Sequence, residues 1–205
     1  MPKNIIYLET DIISYKMSRT LYALLFIATI GLSSCGIATL DNGYTIEAKL
    51  ATNAAAIDFT IHFPVWGYVG IDFGQSMTNV DIITIEVNST GGINVVDKFA
   101  KTIGPPATDV SLGGTNDVSN VTITKNRDGS HDASFRRPLI TTDQFDFKIL
   151  PTVNYPIAFA WKEKSATAYH GAQVNLFHMV VVANDVIFTR DPPAPSTRRN
   201  ILLLE

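Results

Sequence analysis

The feature that most constrains this chain is a succession of short segments in which every second residue is apolar. Ile57, Phe59, Ile61 and Phe63 alternate with more polar residues, as on a β-strand, whose side chains alternate between two faces. Clusters of Gly, Pro, Asn and Asp separate the segments, and no window of helical length within 43–190 carries an apolar stripe. Many short strands between turn signals are typical of an all-β sandwich or barrel. The other segments of this kind are 69–73, 81–87, 93–100, 120–125, 133–139, 145–150, 156–161, 172–182 and 185–190.

The N-terminal part has the pattern of a signal peptide. Residues 21–32 form an unbroken run of apolar and small residues. This run has the roughly 7–15 residues of a secretory apolar region and falls short of the ~20 that span a membrane. Met17 is the better start, because the preceding residues include acidic ones. We therefore predict an N-terminal extension and signal peptide over 1–38, with cleavage after Cys35 or Ala38 and secretion of the remainder.

Cys35 is the only cysteine of the chain. The mature domain therefore has no disulfide. The single cysteine also excludes a cysteine-ligated zinc site, an iron–sulfur cluster and a thioether-attached c-type haem, which needs a CxxCH motif. Any haem must be held non-covalently. Residues 32–35 (LSSC) also resemble a lipoprotein cleavage box, so lipidation of Cys35 stays open as an alternative.

Charge and the remaining motifs limit the partners. The net charge of −3 and a pI of about 5.8 provide no basic field for nucleic acid. We predict a domain over 39–190, followed by a flexible tail over 191–205 that begins with prolines and is too short to span a membrane. Two glycosylation sequons, at Asn88 and Asn120, become meaningful only on a eukaryotic secretory route.

Three phrases of the chain resemble one known family. The first is WGYVGIDFGQSMTNVDIITIEV (66–87), and the second is DKFAKTIGPPATDV (97–110), which closes with Pro-x-x-Asp. The third is ASFRRPLITTDQFDFKI (133–149) running into PIAFAWKEKSATAYHG (156–171). In this order, across 43–182, they resemble the DOMON domain, which also occurs in the cytochrome part of cellobiose dehydrogenase. The resemblance implies an all-β, two-sheet antiparallel immunoglobulin-like sandwich with a ligand pocket at one end.

The resemblance also implies a ligand set. In the haem b binders of this family, the Met of the first phrase and the His of the last are the axial ligands, and these positions are Met77 and His170 here. Both axial positions would then be filled, which favours single-electron transfer over oxygen chemistry. Trp66, Tyr68 and Phe73 are expected to line the apolar slot. Because no flavin or b561-type module is recognisable in this sequence, the expected electron partner is a separate redox protein or a small-molecule reductant.

Other interpretations remain open at this point. Some family members bind sugars or other small molecules without haem, so a carbohydrate-binding module at the cell surface is the main alternative. A structural or adhesion protein with a vestigial pocket is a third. No Ser-His-Asp signature, GxSxG elbow or phosphate loop is present, so we do not expect an enzyme. His62 and His178 fall on outward strand positions and His131 in a polar turn, and none has metal-site spacing.

Arg136 and Arg137 are adjacent, so a strand would send them to opposite faces and at most one could reach a given site. One of them could neutralise a haem propionate or a sugar acid. The simpler prediction is a structural salt bridge to Asp143 or Asp146.

The haem hypothesis makes a geometric prediction. Met77 and His170 are 93 residues apart, so only the folded sandwich can bring them together. We expect them at the same end of the fold across one apolar slot, with about 4–5 Å between the sulfur and a ring nitrogen, because each ligand lies about 2 Å from the metal.

Overall fold

The computed structural model describes residues 36–165, 173–183 and 185–192. The predicted signal segment up to residue 35, His170 and the tail beyond residue 192 lie outside these residues. The elements of the described part are, in order, β1 (Gly36–Thr39), a 3-10 helix (Asp41–Gly43), β2 (Thr45–Leu50), β3 (Ala56–Phe63), β4 (Gly67–Asp72), β5 (Val80–Val87), β6 (Ile93–Ala100), β7 (Ala107–Thr108), α1 (Asp109–Leu112), β8 (Ser119–Lys125), β9 (His131–Pro138), β10 (Asn154–Glu163), β11 (Val174–Val182) and β12 (Asp185–Arg190).

The strands form two antiparallel sheets. One has the order β1-β2-β3-β9-β8, and the other has the order β12-β11-β10-β4-β5-β6-β7. In each sheet a central pair joins strands that are distant in the chain, β3 with β9 and β4 with β10. The prediction of an all-β, two-sheet antiparallel sandwich is therefore confirmed.

The two sheets share one hydrophobic core, because the strands turn their apolar side chains inward. In the five-stranded sheet, the rings of Phe59 and Phe135 stack with their centroids 5.1 Å apart. In the seven-stranded sheet, Phe159 and Phe177 meet edge to face at 5.3 Å. All four belong to the same buried cluster. Burying a ring of this size contributes about 1.5–3 kcal/mol, so the alternation visible in the sequence carries much of the stability.

The seven-stranded sheet is buried on both faces at its centre. All six residues of β4 are buried, whereas β3 of the other sheet alternates buried with half-exposed positions along most of its length. Val69 and Ile71 join the core, so Tyr68, Gly70 and Asp72 lie on the opposite side, called here the outer face. Tyr68, Gly70 and Asp72 are buried but are not part of the main core, so the outer face is a candidate ligand surface.

The first strand closes one edge of the sandwich. β1 contacts β12 of the other sheet, and a Cβ on Gly36 would lie 2.0 Å from the carbonyl oxygen of Val186. Ala38 of β1 is fully buried. Of the two predicted cleavage positions, the one after Cys35 would therefore preserve β1, and the one after Ala38 would remove most of it.

Among the described residues, no helix has the length and apolar composition that crossing a membrane requires.

Candidate functional site

Met77 lies on the outer face of the seven-stranded sheet. It belongs to the loop between β4 and β5, its side chain is half-buried, and it packs against Val80, Ile82 and Ala100. Val80 pairs with Ala100 across β5 and β6, so both point to the same side. The thioether is thus fixed over a small apolar cluster, separate from the main core.

Beside this cluster the outer face has a floor of small residues. Gly70 pairs with Ala160, and the neighbouring Asp72 pairs with Ala158. On its other side Asp72 pairs with Ile82, one of the residues under the thioether. Both alanines are buried, and a Cβ on Gly70 would lie 3.9 Å from that of Ala160. Gly70, Ala158 and Ala160 project little from the sheet, and we call the part of the outer face above them the recess.

Two ionisable groups adjoin this recess. Burial raises the pKa of Asp72 to about 7, and the negative charge of Asp81 on the far side of the sheet adds to the effect. Burial likewise raises the pKa of Tyr68 to about 12, with a further contribution from Asp72. At neutral pH the phenol is uncharged, and the raised pKa of Asp72 reduces the negative charge of its carboxyl group in the recess.

His170 lies in the hairpin loop between β10 and β11, outside the described residues, but both ends of this loop are fixed. The backbone N–H of Lys164 donates to the carbonyl of Trp66 at 2.7 Å. At the other side, the N–H of Trp161 donates to the carbonyl of Gln173 at 3.2 Å.

The two loops leave the sheet at opposite ends. Glu163 pairs with Gly67 at the start of β4, whereas the Met77 loop follows Asp72 at its end. Six residues of strand span roughly 17 Å, and the six peptide steps from Lys164 to His170 reach at most ~20 Å. The prediction that both side chains lie at one end stays untested. The side chains of Met77 and His170 can meet only if the loop between β10 and β11 folds back along the outer face.

Trp66 and Phe73 belong to the interior. Phe73 is in the main core, where its ring stacks on Phe147 with centroids 6.1 Å apart and lies 4.3 Å beneath the guanidinium of Arg137. Trp66 is half-buried and packs against the same core. The structure therefore brings Tyr68 to the face that carries the thioether, and it does not bring these two rings there.

Arg137 crosses the sandwich. Its side chain is fully buried, points inward from β9, and its Nη2 donates both to Asp81 of the other sheet and to the carbonyl of Phe147. Its Nη1 donates to the carbonyl of Pro138 at 3.0 Å. This ion pair joins the two sheets.

Arg136, on the outside of the same strand, pairs with Asp58 through two hydrogen bonds of 2.6 and 2.7 Å. The prediction that adjacent arginines face opposite sides is confirmed. The predicted partners Asp143 and Asp146 are wrong, because Arg137 reaches across to the other sheet and Arg136 reaches along its own.

A buried group of carboxylates surrounds this ion pair. Asp81, Asp97 and Asp146 each offer an oxygen, and these oxygens lie within 4.8 Å of one another. Burial, then the neighbouring charges, raises the pKa of Asp97 to about 8 and that of the fully buried Asp109 to about 7. Burial raises the pKa of Asp146 to about 6 against the opposing effect of Thr141, and it also raises that of Asp81. We call Asp81, Asp97, Asp109 and Asp146 the acidic cluster.

Sequence reasoning missed this cluster, although a signal was present. Asp81 has the same strand parity as Ile83 and Ile85, and Asp97 has the parity of Val95. An aspartate in phase with core residues must point into the core. Two such residues on consecutive segments would have indicated a buried polar site.

The histidines stay apart from both sites. His62 faces outward as predicted and bonds Asp132 at 2.7 Å. His178 also faces outward and lies 3.3 Å from Asp191. His131 differs from the prediction of a polar turn: it begins β9, is buried, and neither ring nitrogen has a hydrogen-bond partner within the described ranges.

Comparison with known proteins agrees with this fold. The DOMON domain model matches residues 40–162, more than half of the chain; the match includes Met77 and ends before His170. No curated protein sequence matches the chain. Among solved structures, it is similar to the "Cytochrome domain of Myriococcum thermophilum cellobiose dehydrogenase", with 14% identity, a TM-score of 0.49, and coverage of 70% of this chain and 77% of that one.

A second solved structure is the cytochrome b domain of pyranose dehydrogenase from Coprinopsis cinerea, with 13% identity, a TM-score of 0.47, and coverage of 67% of this chain and 76% of that one. The family match includes the first two phrases completely. It includes the third as far as residue 162 and so stops before the closing Tyr-His pair. The chain belongs to the DOMON domain family.

Proposed function

We propose that this chain is a secreted DOMON module that binds haem b non-covalently through Met77 and His170 and transfers single electrons. The observation that carries the proposal is the position of Met77, whose half-buried thioether stands beside the recess over Gly70, Ala158 and Ala160. A flat macrocycle needs a dry wall without projecting side chains, and a floor of small buried residues meets that need. Met77, the one of the two proposed ligands that the structure describes, therefore lies in surroundings that fit haem.

The residues around the recess have distinct roles in this proposal. If bound, haem b would be held by the thioether of Met77 and the imidazole of His170, and it would supply one-electron chemistry. Val80 and Ile82 beneath Met77 exclude water and restrict its rotamers. The raised pKa of Asp72, about 7, lessens the negative charge that the floor presents near neutral pH. Tyr68 adds an uncharged phenol on the same face.

The proposal makes the protein an electron carrier rather than a catalyst. Its partner would be a separate redox protein or a small-molecule reductant that meets it outside the cell. The net charge of −3 favours neither nucleic acid nor an acidic surface.

The test is the absorption spectrum of the full chain produced with haem available. We expect a coloured protein with a sharp reduced α-band, lost in a Met77→Ala, His170→Ala double variant. Met77→His should keep a six-coordinate spectrum and lower the midpoint potential, because a Met ligand raises the potential.

Matched controls use the same residue types elsewhere in the seven-stranded sheet. Met179→Leu changes a fully buried core methionine, and His178→Asn changes an outward histidine. Both should leave the α-band and the potential unchanged. An α-band that survives in the Met77→Ala, His170→Ala double variant would refute the ligand assignment. A colourless protein that binds to a glycan array would support the carbohydrate-binding alternative instead.

A further inference from the structure

The acidic cluster lies in the interior of the sandwich, on the opposite side of the seven-stranded sheet from Met77. Asp81 on β5 and Asp97 on β6 point inward with the core, and Asp146 comes from the segment between β9 and β10. These three are 3%, 1% and 8% exposed. Asp109, at the first position of α1, is 0% exposed.

Protein donors satisfy only part of these carboxylates. One oxygen of Asp81 accepts from Arg137 and from the backbone N–H of Phe147, and one oxygen of Asp97 accepts from the N–H of Asp117. The second oxygen of each has no hydrogen-bond partner among the residues that the structure describes.

Two further aspartates are less satisfied still. Neither oxygen of Asp146 nor of Asp109 has a partner with hydrogen-bond geometry in the described part of the chain, although the Thr141 hydroxyl, itself without a partner, lies close enough to Asp146 to lower its pKa. Asp146 also brings an oxygen to within 4.8 Å of Asp81 and Asp97. Burying a carboxylate without hydrogen-bond donors costs folding free energy, and the carboxylate of Asp146 in addition faces those of Asp81 and Asp97.

The charges do not balance either. In the described residues, Arg137 provides the positive charge next to this cluster, against four buried carboxyl groups. One divalent cation would bring the sum of these charges from −3 to −1 if all four are ionised.

The ligand types favour calcium over other cations. Ca²⁺ takes 6–8 oxygen ligands at 2.3–2.6 Å, so oxygens on opposite sides of one ion lie roughly 4.6–5.2 Å apart. Three carboxylate oxygens that lie within 4.8 Å of one another are compatible with binding to one such ion. Mg²⁺ prefers shorter bonds and keeps several waters, so a shell made mainly of protein carboxylates suits it less well than Ca²⁺. The cluster contains no nitrogen or sulfur ligand, so zinc and copper are poorly matched.

We propose that Asp81, Asp97 and Asp146 form a structural calcium site between the two sheets, with Asp109 completing its negative shell. The ion ties β5 and β6 to the segment that follows β9, and so reinforces the contact between sheets that Arg137 makes. Asp143, which lines a surface depression together with Gly114 and its neighbours, adds its negative charge to the surroundings of Asp81 and Asp109. The site does not depend on haem.

The experiment measures thermal unfolding and calcium binding of the full chain after treatment with EDTA. Adding CaCl2 to about a hundredfold above the dissociation constant should raise Tm by roughly 5–10 °C. MgCl2 should give a much smaller shift. Isothermal titration with CaCl2 should report one site per chain.

Isosteric variants separate calcium ligation from an ordinary structural role. In EDTA, Asp97→Asn and Asp146→Asn should be at least as stable as the parent chain, because each removes a buried charge. Both should lose the calcium-induced rise in Tm and weaken binding at least tenfold. Asp58→Asn is the matched control, since this carboxylate pairs with Arg136 on the outside of the five-stranded sheet, and it should keep the full calcium response.

Several results would overturn the proposal. One is a Tm that does not respond to millimolar CaCl2 together with no heat of binding. Another is an Asp97→Asn or Asp146→Asn variant that retains the calcium response, or that loses the same stability with and without calcium. Each result can be read in haem-free protein, so it is distinguishable from a failure of the electron-transfer proposal.

Discussion

Replacing Arg137 by methionine should destabilise this protein more than any change on the outside of the same strand. The guanidinium is fully buried against Asp81, donates to the carbonyls of Phe147 and Pro138, and lies 4.3 Å over the ring of Phe73. Methionine keeps the volume and removes the charge and every donor. Removing one partner of a buried pair leaves an uncompensated charge and costs about 3–5 kcal/mol.

The neighbouring residue provides the matched control. Arg136 also pairs with an aspartate, but the side chains of Arg136 and Asp58 are 36% and 42% exposed, against 0% and 1% for Arg137 and Asp81. A solvated pair is worth about 0–1 kcal/mol. With about 2–4 °C per kcal/mol in a domain of this size, Arg137→Met should lower Tm by roughly 6–20 °C and Arg136→Met by no more than ~4 °C.

The effect should also depend on pH. Arg137 lowers the pKa values of Asp81, Asp97 and Asp146, so its removal raises them further. A carboxyl group whose pKa is higher in the folded chain than in the unfolded chain contributes stability at pH values below the unfolded pKa. This contribution is lost as the pH rises through the pKa of the folded chain. The gap between Arg137→Met and the parent chain should therefore widen from pH 5 to pH 8.

The assay is calorimetric unfolding of the parent chain and both variants, without added metal, at pH 5 and pH 8. Equal losses of Tm for Arg136→Met and Arg137→Met would show that burial of the ion pair does not control its strength. A gap that narrows toward pH 8 would show that the carboxylates are not the groups left uncompensated.

Three further predictions concern other parts of the fold. Asp72→Asn should flatten the decline in stability that the metal-free protein shows between pH 5 and pH 8, because the raised pKa of Asp72, about 7, contributes to that decline. The measurement is chemical unfolding, and an unchanged pH profile would contradict this prediction. Gly36→Val should cost about 1–3 kcal/mol by overpacking, because a Cβ there meets the carbonyl of Val186 at 2.0 Å; an unaltered Tm would argue against the close contact of β1 and β12. N-terminal sequencing of the mature protein should find Gly36 first if the predicted signal peptide is removed after Cys35, whereas a start at Thr39 would mean that β1 is dispensable, and a blocked Cys35 would indicate lipidation.

The sequence determined the properties that depend on one strand at a time. Alternation in β3 fixed which of its side chains enter the core, and it correctly assigned His62 to the outside. The same parity separates Arg136 from Arg137, and it would have shown that Asp81 and Asp97 point inward. These results follow because the two faces of a strand are set by local backbone geometry.

Only the tertiary structure decided which strands are neighbours. Arg137 binds Asp81, 56 residues away, rather than the nearby Asp143 or Asp146, because β9 packs opposite β5 across the core. Many pairings of similar short strands satisfy the same alternation, and closing a longer loop costs only slightly more entropy. Packing of the two sheets against each other therefore selected the neighbours and assembled the acidic cluster.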